Sequence, residues 1–127
     1  MVVNNMSIPI LLVDDNPEAR SKAAKLLWIW GYQVDVANNV AAALTLAENK
    51  DYTLAIIDEQ IHGMNGVELF RRMREFRHDL MAIILIGKYT HDFVYPGIEA
   101  GIVSVLPKPT DFYELLPIIE ECIGIPK

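Results

Sequence analysis

The chain has 127 residues, a length that is typical of one domain and leaves little room for a second. Hydrophobic residues make up 52% of it, which excludes an intrinsically disordered chain because a core of ordinary size can be buried. The formal net charge of −6 repels a polyanion, so we expect no nucleic acid as a partner.

The sequence also carries no sign of a secreted or membrane protein. A single cysteine, Cys122, cannot form an internal disulfide, as is usual in a reducing compartment. The apolar runs are far shorter than the roughly 18 residues that span a membrane, and residues 1–7 contain no basic residue. We therefore predict a cytoplasmic protein without membrane contact, with a flexible leader at residues 1–7 and one domain at residues 8–127.

The first predicted strand is the apolar run at residues 8–13, which is typical of a parallel strand buried on both faces. Asn16 supplies an N-cap for the helix that follows, and Gly31 ends that helix. Trp28 and Ile29 lie off the main apolar stripe of this helix and form a candidate contact patch.

Two further cycles continue the alternation of strand and helix. The second cycle has a predicted strand at residues 32–37 and a helix that ends at about residue 50, and either Asn38 or Asn39 caps this helix. The third strand is predicted at residues 52–58 and runs into a loop that contains Gly66. The helix after this loop is predicted to present its arginines to solvent: Arg71, Arg72, Arg74 and Arg77.

The last part of the chain is predicted to complete the sheet. A fourth strand is expected at residues 81–86, and a short or bent helix near residues 91–100, where proline and glycine interrupt the apolar pattern. The fifth strand is predicted at residues 102–106. A final helix begins at about residue 111, and Pro117 should bend it or start it afresh.

Five apolar strands that alternate with five helical segments predict an α/β fold, in which helices cover both faces of an open parallel sheet. In such folds the ligand binds outside the carboxyl ends of the strands, where the strand order reverses. The polar residues at those ends are therefore the candidates for function.

Acidic side chains stand at these strand ends. Asp14 and Asp15 follow the first strand, Asp58 ends the third, and Lys108 follows the fifth. Gathered carboxylates repel one another, so either their pKa values rise or a cation joins them, and oxygen ligands from short side chains suit Mg²⁺. Each acid alone is explained as a turn or helix-cap residue, but their joint placement favours a magnesium site.

This combination resembles the receiver domain of two-component response regulators over nearly the whole chain. The residues that carry the resemblance are Asp14 with Asp15, Asp58 with Gly66 eight positions later, and Lys108 with Pro109. The resemblance implies a flavodoxin-like (βα)5 doubly wound fold, with a five-stranded parallel sheet in the order 2-1-3-4-5.

The resemblance also implies a function. Asp58 would be the phosphoacceptor, taking a phosphoryl group from a phosphohistidine on a sensor histidine kinase or a phosphotransfer protein. The chain would act in phosphorelay signalling on a downstream output domain or target protein. It would not be an enzyme, because it catalyses only its own phosphorylation and dephosphorylation. No particular oligomeric state is predicted.

The implied ligands of Mg²⁺ are Asp15 and Asp58 directly, the backbone carbonyl of Gln60, and Asp14 through a water molecule. Lys108 is implied to pair first with the Asp58 carboxylate and then with a phosphoryl oxygen. Its place is implied to be set by a cis peptide bond to the proline that follows.

Two positions depart from the pattern of the family. Gly87 stands where the family has Thr or Ser after the fourth strand, and Val105 stands where it has an aromatic residue that swings between two positions. Thr90 or Ser104 could supply the missing hydroxyl, although an ordinary polar role is favoured for each. Both residues of the usual conformational readout are therefore missing.

These departures keep a second function open. The alternative is a pseudo-receiver that acts as a protein–protein interaction module without phosphorylation. A Mg²⁺-dependent phosphohydrolase is disfavoured, because it needs a nucleophilic aspartate after the first strand and a second acid two residues later, where this chain has Asn16.

Overall fold

The computed structural model describes residues 9–87, 101–108 and 112–125. The elements of these residues are β1 (Ile10–Val13), α1 (Pro17–Ile29), β2 (Val34–Ala37), α2 (Val40–Asn49), β3 (Leu54–Asp58), β4 (Gln60–Ile61), β5 (Met64–Asn65), α3 (Gly66–Phe76), β6 (Met81–Ile86), β7 (Ile102–Pro107) and α4 (Phe112–Ile123). The predicted leader at residues 1–7 and the predicted helix near residues 91–100 lie outside the described residues.

Five strands form one parallel sheet in the order β2-β1-β3-β6-β7. The two short strands β4 and β5 pair antiparallel in a separate hairpin. When this hairpin is left out, the strands count as 2-1-3-4-5, so the predicted α/β fold and its flavodoxin-like strand order are confirmed. The strand order reverses between β1 and β3, where a ligand site is expected.

Helices cover both faces of the sheet. Neighbouring side chains of β1 point to opposite faces, as in any strand. Leu11 and Val13 belong to one hydrophobic cluster with residues of α2 and α3, whereas Ile10 and Leu12 belong to a second cluster with residues of α1 and α4. All four residues of β1 are buried, which explains why this strand is a continuous apolar run.

Asparagine side chains cap the first three helices. Asn16 accepts from two backbone N–H groups of α1, Asn39 from one of α2, and Asn65 from two of α3. The structure thus selects Asn39 from the two predicted candidates. Gly66, which was predicted in a loop, is the first residue of α3, because Asn65 before it caps the helix.

Two further predictions on secondary structure were inexact. Strand β2 begins at Val34 and not at Tyr32, because the Tyr32 N–H donates to the Leu27 carbonyl at the end of α1. Helix α4 does not restart at Pro117 but runs through it. Pro117 lies on the exposed side of α4.

Tyr32 ties the end of α4 to the start of β2. Its hydroxyl donates to the backbone carbonyl of Gly124 at an O···O distance of 2.8 Å. Burial, and to a lesser extent the charge of Glu120, raises the pKa of Tyr32 to about 12. The phenol therefore stays protonated, and remains a donor, throughout the physiological pH range.

Trp28 and Ile29, which form the predicted contact patch, are the last two residues of α1 and are 73% and 60% exposed. No helix in the described part of the chain combines the length and the apolar character needed to cross a membrane.

The prediction of a solvated arginine face on α3 was wrong for Arg77. Its Nε donates to the Lys50 carbonyl at 2.7 Å and its Nη2 to the Glu48 carbonyl at 3.1 Å. Its Nη1 also lies 2.8 Å from the Asp51 carboxylate. These carbonyls belong to the end of α2, where backbone acceptors lack partners within the helix. Arg77 therefore joins the ends of α2 and α3.

Arg77→Ala is expected to lower the free energy of unfolding by about 1–3 kcal/mol, because it removes charge-assisted hydrogen bonds to α2. Urea denaturation measures this change. The control is Arg72→Ala, which removes only an exposed pair with Glu68 at 3.6 Å and should cost about 0.5 kcal/mol or less. Equal losses in the two variants would contradict the joining role of Arg77.

Candidate functional site

Three aspartates meet at the carboxyl ends of the strands. Asp14 and Asp15 follow β1, and Asp58 is the last residue of β3. Because β1 pairs with β3 in parallel, with Val13 opposite Ile57, the residues that follow these two positions are neighbours. The three carboxylates offer oxygen atoms that all lie within 4.8 Å of one another. The structure therefore brings together the acids that the sequence singled out.

Lys108 bridges two of these acids. Its Nζ lies 2.9 Å from Asp58 Oδ2 and 3.2 Å from Asp14 Oδ2. Lys108 follows β7, which is two strands away from β3, so only a long side chain can reach the cluster. The sequence-based expectation named the Asp58 contact alone, and the structure adds Asp14.

Burial and charge act in opposite directions on the bridged pair. Burial raises the pKa of Asp58, and the negative charge of Asp14 raises it further. Lys108 and the backbone N–H of Gln60 lower this pKa, but the net shift is upward. Burial lowers the pKa of Lys108, but its contacts with Asp58 and Asp14 outweigh this, and the pKa is raised. The lysine therefore stays charged beside a carboxylate that is easier to protonate than usual.

Asp14 and Asp15 occupy different surroundings although they are adjacent. Asp14 is 3% exposed, and its Oδ1 accepts from the Asn16 N–H at 2.9 Å. The Asp14 carbonyl accepts from Arg20 Nη1 at 3.0 Å. Asp15 is exposed, and its Oδ2 accepts from the His62 N–H at 2.9 Å. Asp15 is thus the acid most open to solvent, and its contact fixes the hairpin beside the site.

The hairpin of β4 and β5 begins two residues after Asp58 and was not predicted. Gln60 pairs with Asn65 and Ile61 with Met64, while Gly63 turns the chain with a φ of +88°. Strands of two residues are too short to produce a periodic pattern, so only the glycine signalled the turn. Gln60 is the first residue of this hairpin, and its backbone N–H acts to lower the pKa of Asp58.

Gly66 packs against the backbone of the phosphoacceptor candidate Asp58. A Cβ atom at Gly66 would lie 2.2 Å from the Asp58 carbonyl oxygen, which no side chain can occupy. The Gly66 N–H also donates to the Glu59 carbonyl at 2.6 Å. Glycine is therefore required at this position so that α3 can begin close to the end of β3.

Gly66→Ala is expected to lower the free energy of unfolding by about 1–3 kcal/mol, since the added methyl forces α3 away from the Asp58 carbonyl. Thermal unfolding measures the loss. Gly63→Ala serves as the comparison, because nothing lies within 4 Å of a Cβ there and only backbone strain is added. Amide chemical shifts at Asp58 should move in the Gly66 variant and stay in place in the Gly63 variant.

Of the two positions that depart from the family pattern, one follows β6 and the other lies on β7. Gly87 directly follows β6, and its N–H donates to Glu59 Oε1 at 2.5 Å. Val105 is partly buried and packs against the cluster that contains α2 and α3. Ser104, its neighbour on β7, is also partly buried. Thr90 and the implied cis peptide to Pro109 lie outside the described residues.

Glu59 is a site residue that the sequence analysis missed. An acid that follows a strand and precedes a glycine-containing loop has the pattern of a solvated turn residue, yet Glu59 is only 8% exposed. No signal in a single sequence separates these two cases.

The donor set fits a small divalent cation. Mg²⁺ prefers carboxylate oxygens, and it keeps several water molecules, so a site needs only a few protein ligands and an open side. Asp15 supplies that open side, and Lys108 offsets one of the three aspartate charges. The cluster therefore retains an attraction for a divalent ion.

The comparison with protein families gives a match over residues 10–120 to the response regulator receiver domain. Among curated proteins, the response regulator MprA of Mycobacterium sp. (strain KMS) is 31% identical over 111 residues, which cover 87% of this chain and 48% of MprA. The chain spans half or less of the length of the curated relatives that it matches.

Solved structures agree. A CheY-like response regulator receiver domain protein from Methanospirillum hungatei is 27% identical, with a TM-score of 0.80 and coverage of 90% of this chain and 91% of that one. Response regulator TrrA from Thermotoga maritima, solved in complex with Mg²⁺-BeF, is 28% identical with a TM-score of 0.78, covering 91% and 98% of the two chains.

Proposed function

The chain belongs to the response regulator receiver domain family, and from this premise we propose that Asp58 accepts a phosphoryl group in a two-component signalling system. The observation that supports the proposal is the contact of Asp58 with Lys108 inside the aspartate cluster. A lone carboxylate at a strand end would have no cation nearby to neutralise the negative charge of an incoming phosphoryl group. Here the cation is built into the fold.

In the proposed reaction one carboxylate oxygen of Asp58 attacks the phosphorus of a phosphohistidine on a partner kinase or phosphotransfer protein. A P–O bond forms, the P–N bond breaks, and its electron pair returns to the imidazole of the donor. The product on this chain is an acyl phosphate. Water ends the signal by attacking the same phosphorus, which releases inorganic phosphate and restores the carboxylate.

Apart from Asp58, which forms the bond to phosphorus, the residues of the site supply charge and position. Lys108 Nζ already lies 2.9 Å from one oxygen of Asp58, and its ammonium would contact a phosphoryl oxygen as that group arrives. Asp15, Asp58 and the Gln60 carbonyl would hold Mg²⁺, with Asp14 acting through water. When bound, the ion supplies positive charge that neutralises the negative charge of the transferred group.

Receiver domains are signalling modules, and this role needs partners beyond the domain. Since the curated relatives are at least about twice as long as this chain, we propose that its phosphorylation state is read by an output domain or a separate target protein. The donor would be a sensor histidine kinase or a phosphotransfer protein. The only reactions of the chain would be its own phosphorylation and dephosphorylation.

Mg²⁺ is expected to stabilise the folded chain, because an ion that binds only the folded state raises its stability by about 2.7 kcal/mol at a concentration of 100 times Kd. Asp15→Asn should weaken binding about tenfold or more, since it removes one charged ligand. Thermal unfolding during a Mg²⁺ titration measures both effects. Asp79→Asn, at an exposed position after α3, is the matched control and should bind as the unchanged chain does.

The second candidate is the pseudo-receiver, favoured by two observations. Gly87 has no hydroxyl that could follow a phosphoryl group, and Val105 is packed against the core rather than free to swing. A docking module of this kind needs no metal. A chain that shows no stabilisation by Mg²⁺ and no gain of mass with a phosphodonor would support this second candidate over the first.

A further inference from the structure

Glu59 is a buried carboxylate that the chemistry proposed above does not use. It follows Asp58 directly, and only 8% of its surface is exposed. Burial of a carboxylate is costly unless hydrogen bonds compensate it. One such bond comes from the backbone N–H of Gly87, which donates to Glu59 Oε1 at 2.5 Å. The side chain of Glu59 therefore connects the end of β3 to the end of β6.

The backbone of Glu59 is itself held on two sides. Its N–H donates to the Leu85 carbonyl of β6 at 2.8 Å, and its carbonyl accepts from the Gly66 N–H of α3 at 2.6 Å. These contacts leave the main chain little freedom, so the position of the Glu59 carboxylate is set by the sheet and by α3.

The peptide unit between Ile86 and Gly87 is bonded at both of its polar groups. Its N–H is the group that donates to Glu59, and its carbonyl accepts from the backbone N–H of Lys108 at 2.8 Å. A peptide unit is planar, so a contact that orients its N–H also orients its carbonyl. Glu59 thus orients the acceptor that holds the backbone of Lys108.

Lys108 closes a ring of contacts. Asp58 is bonded covalently to Glu59, and the Glu59 side chain accepts a hydrogen bond from the peptide unit at Gly87. This peptide unit accepts a hydrogen bond from the Lys108 backbone, and the Lys108 Nζ lies 2.9 Å from Asp58 Oδ2, which completes the ring. A shift of the Glu59 side chain can therefore move the ammonium group of Lys108 through this peptide unit, without a shift of Asp58.

We propose that Glu59 is a positioning residue for Lys108, which it holds in place through the peptide unit between Ile86 and Gly87. The hydrogen bonds that support this proposal are present in the chain without a phosphoryl group. Its effect on the rate of phosphoryl transfer rests on the function proposed above.

The test compares three variants of the full chain. Glu59→Met removes the hydrogen-bond acceptor while keeping the length of the side chain, and Glu59→Gln keeps an acceptor oxygen. Glu75→Met makes the same change at an exposed position of α3 and is the matched control. Amide hydrogen exchange is measured at Gly87 and Lys108, with the amides of β1 as the internal reference.

Glu59→Met should speed exchange at Gly87 and Lys108 about tenfold relative to β1, as expected for the loss of one hydrogen bond. Glu59→Gln and Glu75→Met should exchange as the unchanged chain does. An unaltered Lys108 amide in Glu59→Met, or equal disturbance by Met and Gln, would overturn the proposal. If Glu59→Met does not fold, Glu59→Ala replaces it, because it removes the acceptor without adding a bulky apolar group.

The second readout is the initial rate of phosphorylation by acetyl phosphate with Mg²⁺. Glu59→Met should slow this rate about tenfold or more, since a small displacement of a catalytic group has effects of this order, and Glu59→Gln should restore it. An unchanged rate in Glu59→Met would contradict the positioning role. If the unchanged chain takes up no phosphoryl group, the proposed function fails, while the exchange experiment still decides whether Glu59 holds the peptide unit.

Discussion

Asp58→Asn is expected to abolish phosphorylation of this chain. The amide keeps the shape of the carboxylate but offers no anionic oxygen to attack phosphorus, so no acyl phosphate can form. Incubation with acetyl phosphate and Mg²⁺ should add the mass of one phosphoryl group to the unchanged protein and none to the variant. Intact-protein mass spectrometry measures this difference directly.

The control for this experiment is Asp79→Asn, an equivalent change at an exposed position outside the cluster, which should gain the same mass as the unchanged protein. Hydroxylamine should remove the added group, because it cleaves acyl phosphates and leaves phosphate esters of Ser and Thr intact. A mass gain that persists in Asp58→Asn would show that another residue is the acceptor.

Lys108→Met is expected to give the next largest loss. Lys108 is the cation that contacts both Asp14 and Asp58, and loss of one aligned donor to a developing charge slows a reaction by about 10²–10³-fold. Methionine keeps the length of the side chain and removes the charge. The rate of phosphorylation by acetyl phosphate at saturating Mg²⁺ is the measurement.

Lys25→Met on the exposed side of α1 is the matched control for the loss of one positive charge, and its rate should stay near that of the unchanged protein. Loss of one hydrogen bond to a charged group should slow the reaction by more than about twofold. A phosphorylation rate for Lys108→Met within about twofold of the control would therefore mean that the contacts of Lys108 with the aspartates are only structural.

The strand order and the gathering of the three aspartates followed from simple patterns in the sequence. Apolar runs such as β1 and β6 have lengths and compositions that are typical of buried strands, and parallel pairing then brings their carboxyl ends together. Asp14 and Asp58 lie at such ends, so their proximity was predictable without knowledge of any loop.

The remaining features depended on contacts that a sequence pattern does not encode. Arg77 has the spacing of a solvated helix residue, but the end of α2 happens to lie within its reach. Glu59 has the pattern of a turn residue, but the N–H of Gly87, the residue after β6, donates a hydrogen bond to its carboxylate. Both contacts join segments far apart in the chain, so only the folded structure reveals them.

The hydrogen bond between Tyr32 and Gly124 has a consequence for how a signal could leave the domain. Tyr32 precedes β2, so this bond lies near the amino ends of the strands, whereas Asp14 and Asp58 lie at the carboxyl ends. Strands of four to six residues separate the two ends by about 13–20 Å. Gly124 therefore lies on the far side of the sheet from Asp58, and a conformational signal that travels through the domain from Asp58 to this end of α4 has to pass through the intervening strands and helices.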